Sequence, residues 1–178
     1  LKYFLLFSLL LTSLFAEAKL YVGTSVGIYQ ESYTDAENSD SLKTAKVKFG
    51  YGDIDAYAME ISLEAIEKDS AFTSVNQSER YALNVALLKA FNFDIGFNPY
   101  LKAGFGSGYY KQGAADSTTM HFGNYTLGGG FFIPVLEHVD FEIGYEYKYI
   151  SYESEDTTTT ASEKSHGNIG YLGVNVRF

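Results

Sequence analysis

The chain has 178 residues and a formal net charge of −9, so no basic face for nucleic acid can be assembled. It contains no cysteine, which excludes a disulfide framework and a lipoprotein anchor. Aromatic residues make up 17 % of it, mostly Tyr and Phe, with 17 Gly and only 2 Pro, a composition that suits strands rather than helices.

Residues 1–18 read LKYFLLFSLLLTSLFAEA. Lys2 precedes an apolar run from Tyr3 to Phe15, and Ala16-Glu17-Ala18 sets small residues where a signal peptidase reads. The run is shorter than the ~20 residues of a spanning helix. It is read as a cleavable secretory signal peptide, removed after Ala18, leaving residues 19–178 as one domain.

Eight stretches of alternating character follow, at 19–30, 43–52, 56–68, 80–92, 98–111, 120–133, 139–153 and 166–178. Long connections (31–42, 69–79, 112–119, 154–165) take turns with short ones (53–55, 93–97, 134–138), and an even strand number returns both termini to one end. The expected fold is all-β: an eight-stranded antiparallel up-and-down transmembrane β-barrel, with short turns at one end and longer loops at the other. The long connections are polar and acidic. Glu31, Asp35, Glu37 and Asp40 lie in the first, and the last reads EDTTTTASE from Glu155 to Glu163. Such segments bury little apolar surface and are expected to be mobile.

Parity separates the two faces. In the second stretch Val47, Phe49 and Tyr51 oppose Lys46 and Lys48, and in the third Tyr57, Met59, Ile61, Leu63 and Ala65 oppose Glu60, Ser62 and Glu64. In the fourth, Tyr81, Leu83, Val85 and Leu87 oppose Arg80, Ala82 and Asn84. In the seventh, Val139, Phe141, Ile143, Tyr145, Tyr147 and Tyr149 oppose Asp140, Glu142, Glu146 and Lys148. Tyr toward the strand ends, at Tyr51, Tyr57, Tyr81, Tyr109, Tyr145, Tyr147 and Tyr149, suits the aromatic girdles of a barrel whose apolar face is outside. The interior then holds Lys46, Lys48, Glu60, Glu64, Arg80, Lys102, Asp140, Glu142, Glu146, Lys148 and Arg177. This near-neutral set reads as a structural charge network, because unpaired ions in a low dielectric are costly. A charged gate or narrow conduction path is the alternative. Gly104, Gly106 and Gly108, with Gly128 and Gly130 beside them, leave a floor that Tyr21, Tyr29, Tyr100, Phe132 or Tyr171 is expected to cover; a small cavity is the other reading. Lys89 falls on the lipid parity and is expected either to snorkel or to mark a bulge near Leu87-Leu88.

The last stretch, HGNIGYLGVNVRF, places Leu172, Val174, Val176 and the terminal Phe178 on one parity. This pattern resembles the closing strand of bacterial outer-membrane barrels. The chain as a whole resembles the small eight-stranded members, the OmpA-type transmembrane domain and the opacity-like surface-antigen barrels. The resemblance implies a bacterial outer-membrane location, with contact to outer-membrane lipid. It also implies recognition of Leu172, Val174, Val176 and Phe178 as an assembly signal by the barrel-assembly machinery. It further implies a non-enzymatic role in surface display, adhesion or envelope integrity, with a host or cell-surface ligand on the loops. A narrow pore or small-solute transport barrel is the second reading, and a lipid A-modifying enzyme the third.

Residues for chemistry are few. The deacylase type of barrel enzyme needs a His and a Ser two residues apart, whereas His121-Phe122-Gly123-Asn124 has Gly123 where the hydroxyl must stand. The palmitoyltransferase type begins with an amphipathic helix, whereas Lys19-Leu20-Tyr21-Val22 enters a strand directly. His121 and His166 fall near the long-loop rim and His138 in a short turn, without metal-ligand spacing. No catalytic residue, cofactor or metal is expected.

Overall fold

In the computed structural model, residues 18–33, 40–53, 56–67, 79–111, 119–153 and 164–178 are described. The leader, at residues 1–17, lies outside them, as does most of each long connection. Eight strands form: β1 (Lys19–Tyr33), β2 (Asp40–Gly52), β3 (Tyr57–Glu67), β4 (Glu79–Ala90), β5 (Asn98–Lys111), β6 (Thr119–Leu136), β7 (Val139–Tyr152) and β8 (Lys164–Arg177). Each pairs antiparallel with its chain neighbours, and β8 pairs with β1 to close the barrel. The Phe178 N–H donates to Leu20 C=O at 2.9 Å, carrying the seam one residue past β8.

The pairing fixes the size and tilt of the barrel. Stepping across paired residues from Phe131 on β6 leads through Ile143, Leu172, Val26, Ala45, Ala65, Tyr81 and Tyr109 back to β6 at His121. The path returns ten residues from where it began (131 − 121). A stagger of that size over eight strands tilts them by roughly 40° to the axis, given standard strand rise and spacing.

The faces are those of an inverted barrel. On β7, Phe141, Ile143 and Tyr145 are exposed, while Asp140, Glu142, Glu146 and Lys148 are buried at 0–1 % exposure. Lys89 keeps the outward parity in an unbroken register, so no bulge shifts β4. Its ammonium sits over the Tyr57 ring at 4.0 Å and near Phe91 at 5.5 Å, close to the short-turn end.

Several boundaries differ from the sequence reading. β1 runs to Tyr33 and β2 begins at Asp40, so Glu31 is a buried strand residue and not part of an acidic loop. Its inward parity and ion-pair partner hold the extra turn of pairing in place. β6 runs on to Leu136, with a register shift between Pro134 and Leu136. Proline has no N–H for the ladder, which accounts for an irregularity there. The glycine floor is also covered differently. Tyr21 lies over Gly50, Tyr29 over Gly167 and Tyr171 over Gly144, whereas Gly104 faces Ala86, Gly106 faces Asn84 and Asn124, and Gly108 faces Phe122. Only Gly130 meets one of the expected rings, at the Tyr100 hydroxyl. Phe132 instead stacks on Tyr100 at 4.4 Å between centroids.

The ring over Gly144 yields a test. Gly144→Val would drive a side chain into Tyr171 and the Tyr100 hydroxyl. Overpacking of this kind costs about 1–3 kcal/mol. Urea titration in lipid vesicles, read by the mobility difference between unboiled and boiled samples, is expected to give a lower unfolding midpoint than wild type.

Candidate functional site

The lumen is where the structure concentrates its chemistry. Alternation places the even-numbered residues of β2, β3, β5 and β7 inside, so their charges are brought together by parity rather than by proximity in sequence. Four bases and four acids fill the middle. Lys102 donates to Glu60 at 2.6 Å and pairs with Glu146 at 3.0 Å. Lys46 reaches Glu146 at 2.8 Å and Glu64 at 3.6 Å, and Lys148 pairs with Glu64. Lys48 pairs with Glu142. Glu142 also accepts from the hydroxyls of Tyr100 (2.7 Å) and Tyr171 (3.1 Å) and from the Asn175 amide (3.0 Å). Glu64 accepts from Asn84 at 3.3 Å, and Asn124 donates on to Asn84 at 3.1 Å.

A separate pair sits at each end. Toward the long connections, Arg80 donates both terminal nitrogens to Glu31 at 3.0 Å, the bidentate fork that suits guanidinium to carboxylate. Tyr152 and Ser165 hydroxyls donate to the same carboxylate at 3.1 and 2.7 Å. The rings of Tyr29, Tyr110, Phe122 and Tyr152 surround the guanidinium at 5.4–5.8 Å. Toward the short turns, Arg177 pairs with Asp140 at 2.9 Å. Among the described residues the lumen thus holds six bases and six acids.

All eleven residues singled out from the sequence line this interior, and the structure distributes them over three tiers. Glu31 is the twelfth. It was missed because a polar run after Gln30 reads as loop, although its even spacing from Tyr29 carried the inward parity. Sequence parity also gave no partner for any charge. The three histidines are not brought together. His121 and His138 are exposed, and His166 shares a hydrogen bond of 2.6 Å with the Tyr147 hydroxyl on the outer wall. Among the described residues no group of three or more His, Asp or Glu is placed to hold a metal. A recess of about 720 Å³ is likewise on the outer wall, bordered by Val26, Val47, Leu63, Leu83, Tyr109 and His121.

The family described as outer membrane protein beta-barrel domain matches residues 3–178. The chain belongs to this family. It is accordingly a bacterial outer-membrane barrel, with its short turns on the periplasmic side. Neisserial surface protein A has the same fold, with a TM-score of 0.74 at 18 % identity, over 90 % of this chain and 99 % of that one. The attachment invasion locus protein Ail of Yersinia pestis follows, with a TM-score of 0.56 at 13 % identity, over 90 % and 97 % of the two chains. The outer membrane protein OprG of Pseudomonas aeruginosa gives 0.51 at 12 % identity, over 90 % and 95 %. No curated protein sequence matches the chain.

Where both members of an ion pair are buried, as here, removing one partner strands the other in a low dielectric. Glu142→Ala leaves Lys48 without its acid and frees three further donors. It is expected to destabilise the barrel by about 3–5 kcal/mol, whereas the double change Lys48→Met/Glu142→Met is expected to recover most of the loss. Urea midpoints of the three proteins in vesicles measure both effects.

Proposed function

We propose that the protein is a non-enzymatic surface barrel whose lumen is a structural plug and whose long extracellular connections make the contacts. The observation that carries this reading is the Lys148–Glu64 pair, with Lys46–Glu146 beside it. β3 and β7 lie four strands apart in a ring of eight, so their side chains meet across the full width of the barrel. A lumen bridged by side chains from opposite walls leaves its charges paired rather than lining a path.

Charge balance supports contact at the long connections. The six bases and six acids inside cancel, so the excess of −9 belongs to the rest of the chain. The four long connections carry Asp35, Glu37, Asp69, Asp116, Glu153, Glu155, Asp156 and Glu163 against the single base Lys68. A basic surface on a host or neighbouring-cell protein suits this display better than a polyanion. The Yersinia pestis Ail protein has been seen with the heparin analogue sucrose octasulfate, and an acidic display predicts no such preference here. Gly123 faces open space on the outer wall, where the deacylase type needs a hydroxyl. The outward row of Leu172, Val174, Val176 and Phe178 on and just past β8 is exposed and serves, in this reading, as the signal for the assembly machinery.

Two measurements test the proposal. In planar bilayers the purified protein is expected to show no discrete conductance steps. Steps that change on Glu142→Ala or Lys46→Ala would support the pore reading instead. Cells displaying the protein are expected to bind a cationic protein surface in a salt-sensitive way and to lose that binding when residues 154–163 are removed. Binding that survives the deletion, or that prefers heparin, would count against the acidic-display reading.

A further inference from the structure

The turn between β4 and β5 differs from a solvated turn. It reads Phe91-Asn92-Phe93-Asp94-Ile95-Gly96-Phe97, with an apolar residue at every second position and all seven residues exposed. Phe93 and Ile95 are 60 % and 57 % exposed, and Phe91 and Phe97 are 37 % exposed. The polar positions between them build the bend. The Asn92 side-chain oxygen accepts from the Asp94 N–H at 2.9 Å, Asp94 adopts φ 57° and Gly96 φ 85°. The Phe91 N–H donates to Pro99 C=O at 2.8 Å and ties the base of the turn. The apolar side chains are therefore presented by an ordered backbone.

The patch is continuous with the lipid-facing wall. Phe97 meets Phe131, on the outer face of β6, edge-on at 5.4 Å, and Phe91 stacks with Phe93 at 6.3 Å. Lys89, the outward cation that precedes the turn, spans from Tyr57 to Phe91. Aromatic rings beside a snorkelling lysine are suited to the boundary between headgroups and acyl chains. At the next periplasmic turn, by contrast, the two residues of the bend are the polar Glu137 and His138, both exposed.

We propose that the β4–β5 turn is an interfacial anchor. Phe91, Phe93, Ile95 and Phe97 seat in the upper acyl region of the inner-leaflet phospholipid, with Lys89 on a lipid phosphate. This anchor would fix how deep that side of the barrel sits.

The chain has no Trp, so one substitution makes a site-specific probe. Phe93→Trp is placed in phospholipid vesicles whose acyl chains carry bromine near the headgroup, with His138→Trp as the solvent-facing reference. Heat-dependent mobility shows that each variant is folded, and Ile95→Trp takes the place of Phe93→Trp if the latter does not fold. The expected result is blue-shifted emission, strong quenching by the brominated lipid and protection from aqueous iodide, with the reverse for His138→Trp. Iodide quenching equal to that of His138→Trp would overturn the proposal. So would shielding without bromine quenching that grows with protein density in the vesicle, since a second copy would then be the cover.

Discussion

Everything inside this barrel follows from one constraint: ions taken out of water must be matched. The cost of burying a lone carboxylate or ammonium is several kcal/mol even after relaxation. The middle tier answers it with four lysines and four glutamates, each acid touched by at least one base. Because the pairs run between β2, β3, β5 and β7, satisfying the charges also fixes the distance between opposite walls. A hydrophobic lumen of the same width would need no such register. The polar lumen does, since a one-residue slip in any of these strands would turn its charges toward lipid.

Much of this was legible because strand periodicity is strict. Once the apolar parity is taken as outward, Lys46, Lys48, Glu60, Glu64, Lys102, Glu142, Glu146 and Lys148 are forced inside, and the structure places them there. Pairing was not legible. Which acid meets Lys46 depends on a ten-residue stagger that only the closed sheet defines. The glycines depend on the register of neighbouring strands: Tyr171 lies directly opposite Gly144 and covers it, and Tyr29 covers Gly167 two residues along from its own partner Ile169, positions invisible to a count of glycines. Glu31 escaped for a related reason: a strand end with polar residues on both parities has no alternation to read.

The fold tolerates wide divergence for the same reason that it is legible. Parity, turn length and lumen neutrality can be met by many sequences, which is consistent with relatives at 18 % identity or less sharing the architecture. None of these three requirements involves the long connections. Among the described residues, the pair of the charge network nearest the long connections is Arg80–Glu31, which also accepts from Tyr152 and Ser165 and is ringed by aromatic side chains.

The two ends of the barrel are therefore under different pressures. At the extracellular end the long connections carry most of the net negative charge, which is where the proposed reading places contact with a partner. At the periplasmic end the β4–β5 turn is short and internally bonded, and an apolar turn with that many rings would be a liability in water. In the proposed reading that turn answers a demand made by the membrane rather than by folding. Orientation and depth in the bilayer are such demands. A neutral interior cannot supply them, because it exerts no preference between the two aqueous sides. They must come from the surfaces at the ends, where the acidic residues of the long connections lie opposite exposed aromatic side chains and Lys89.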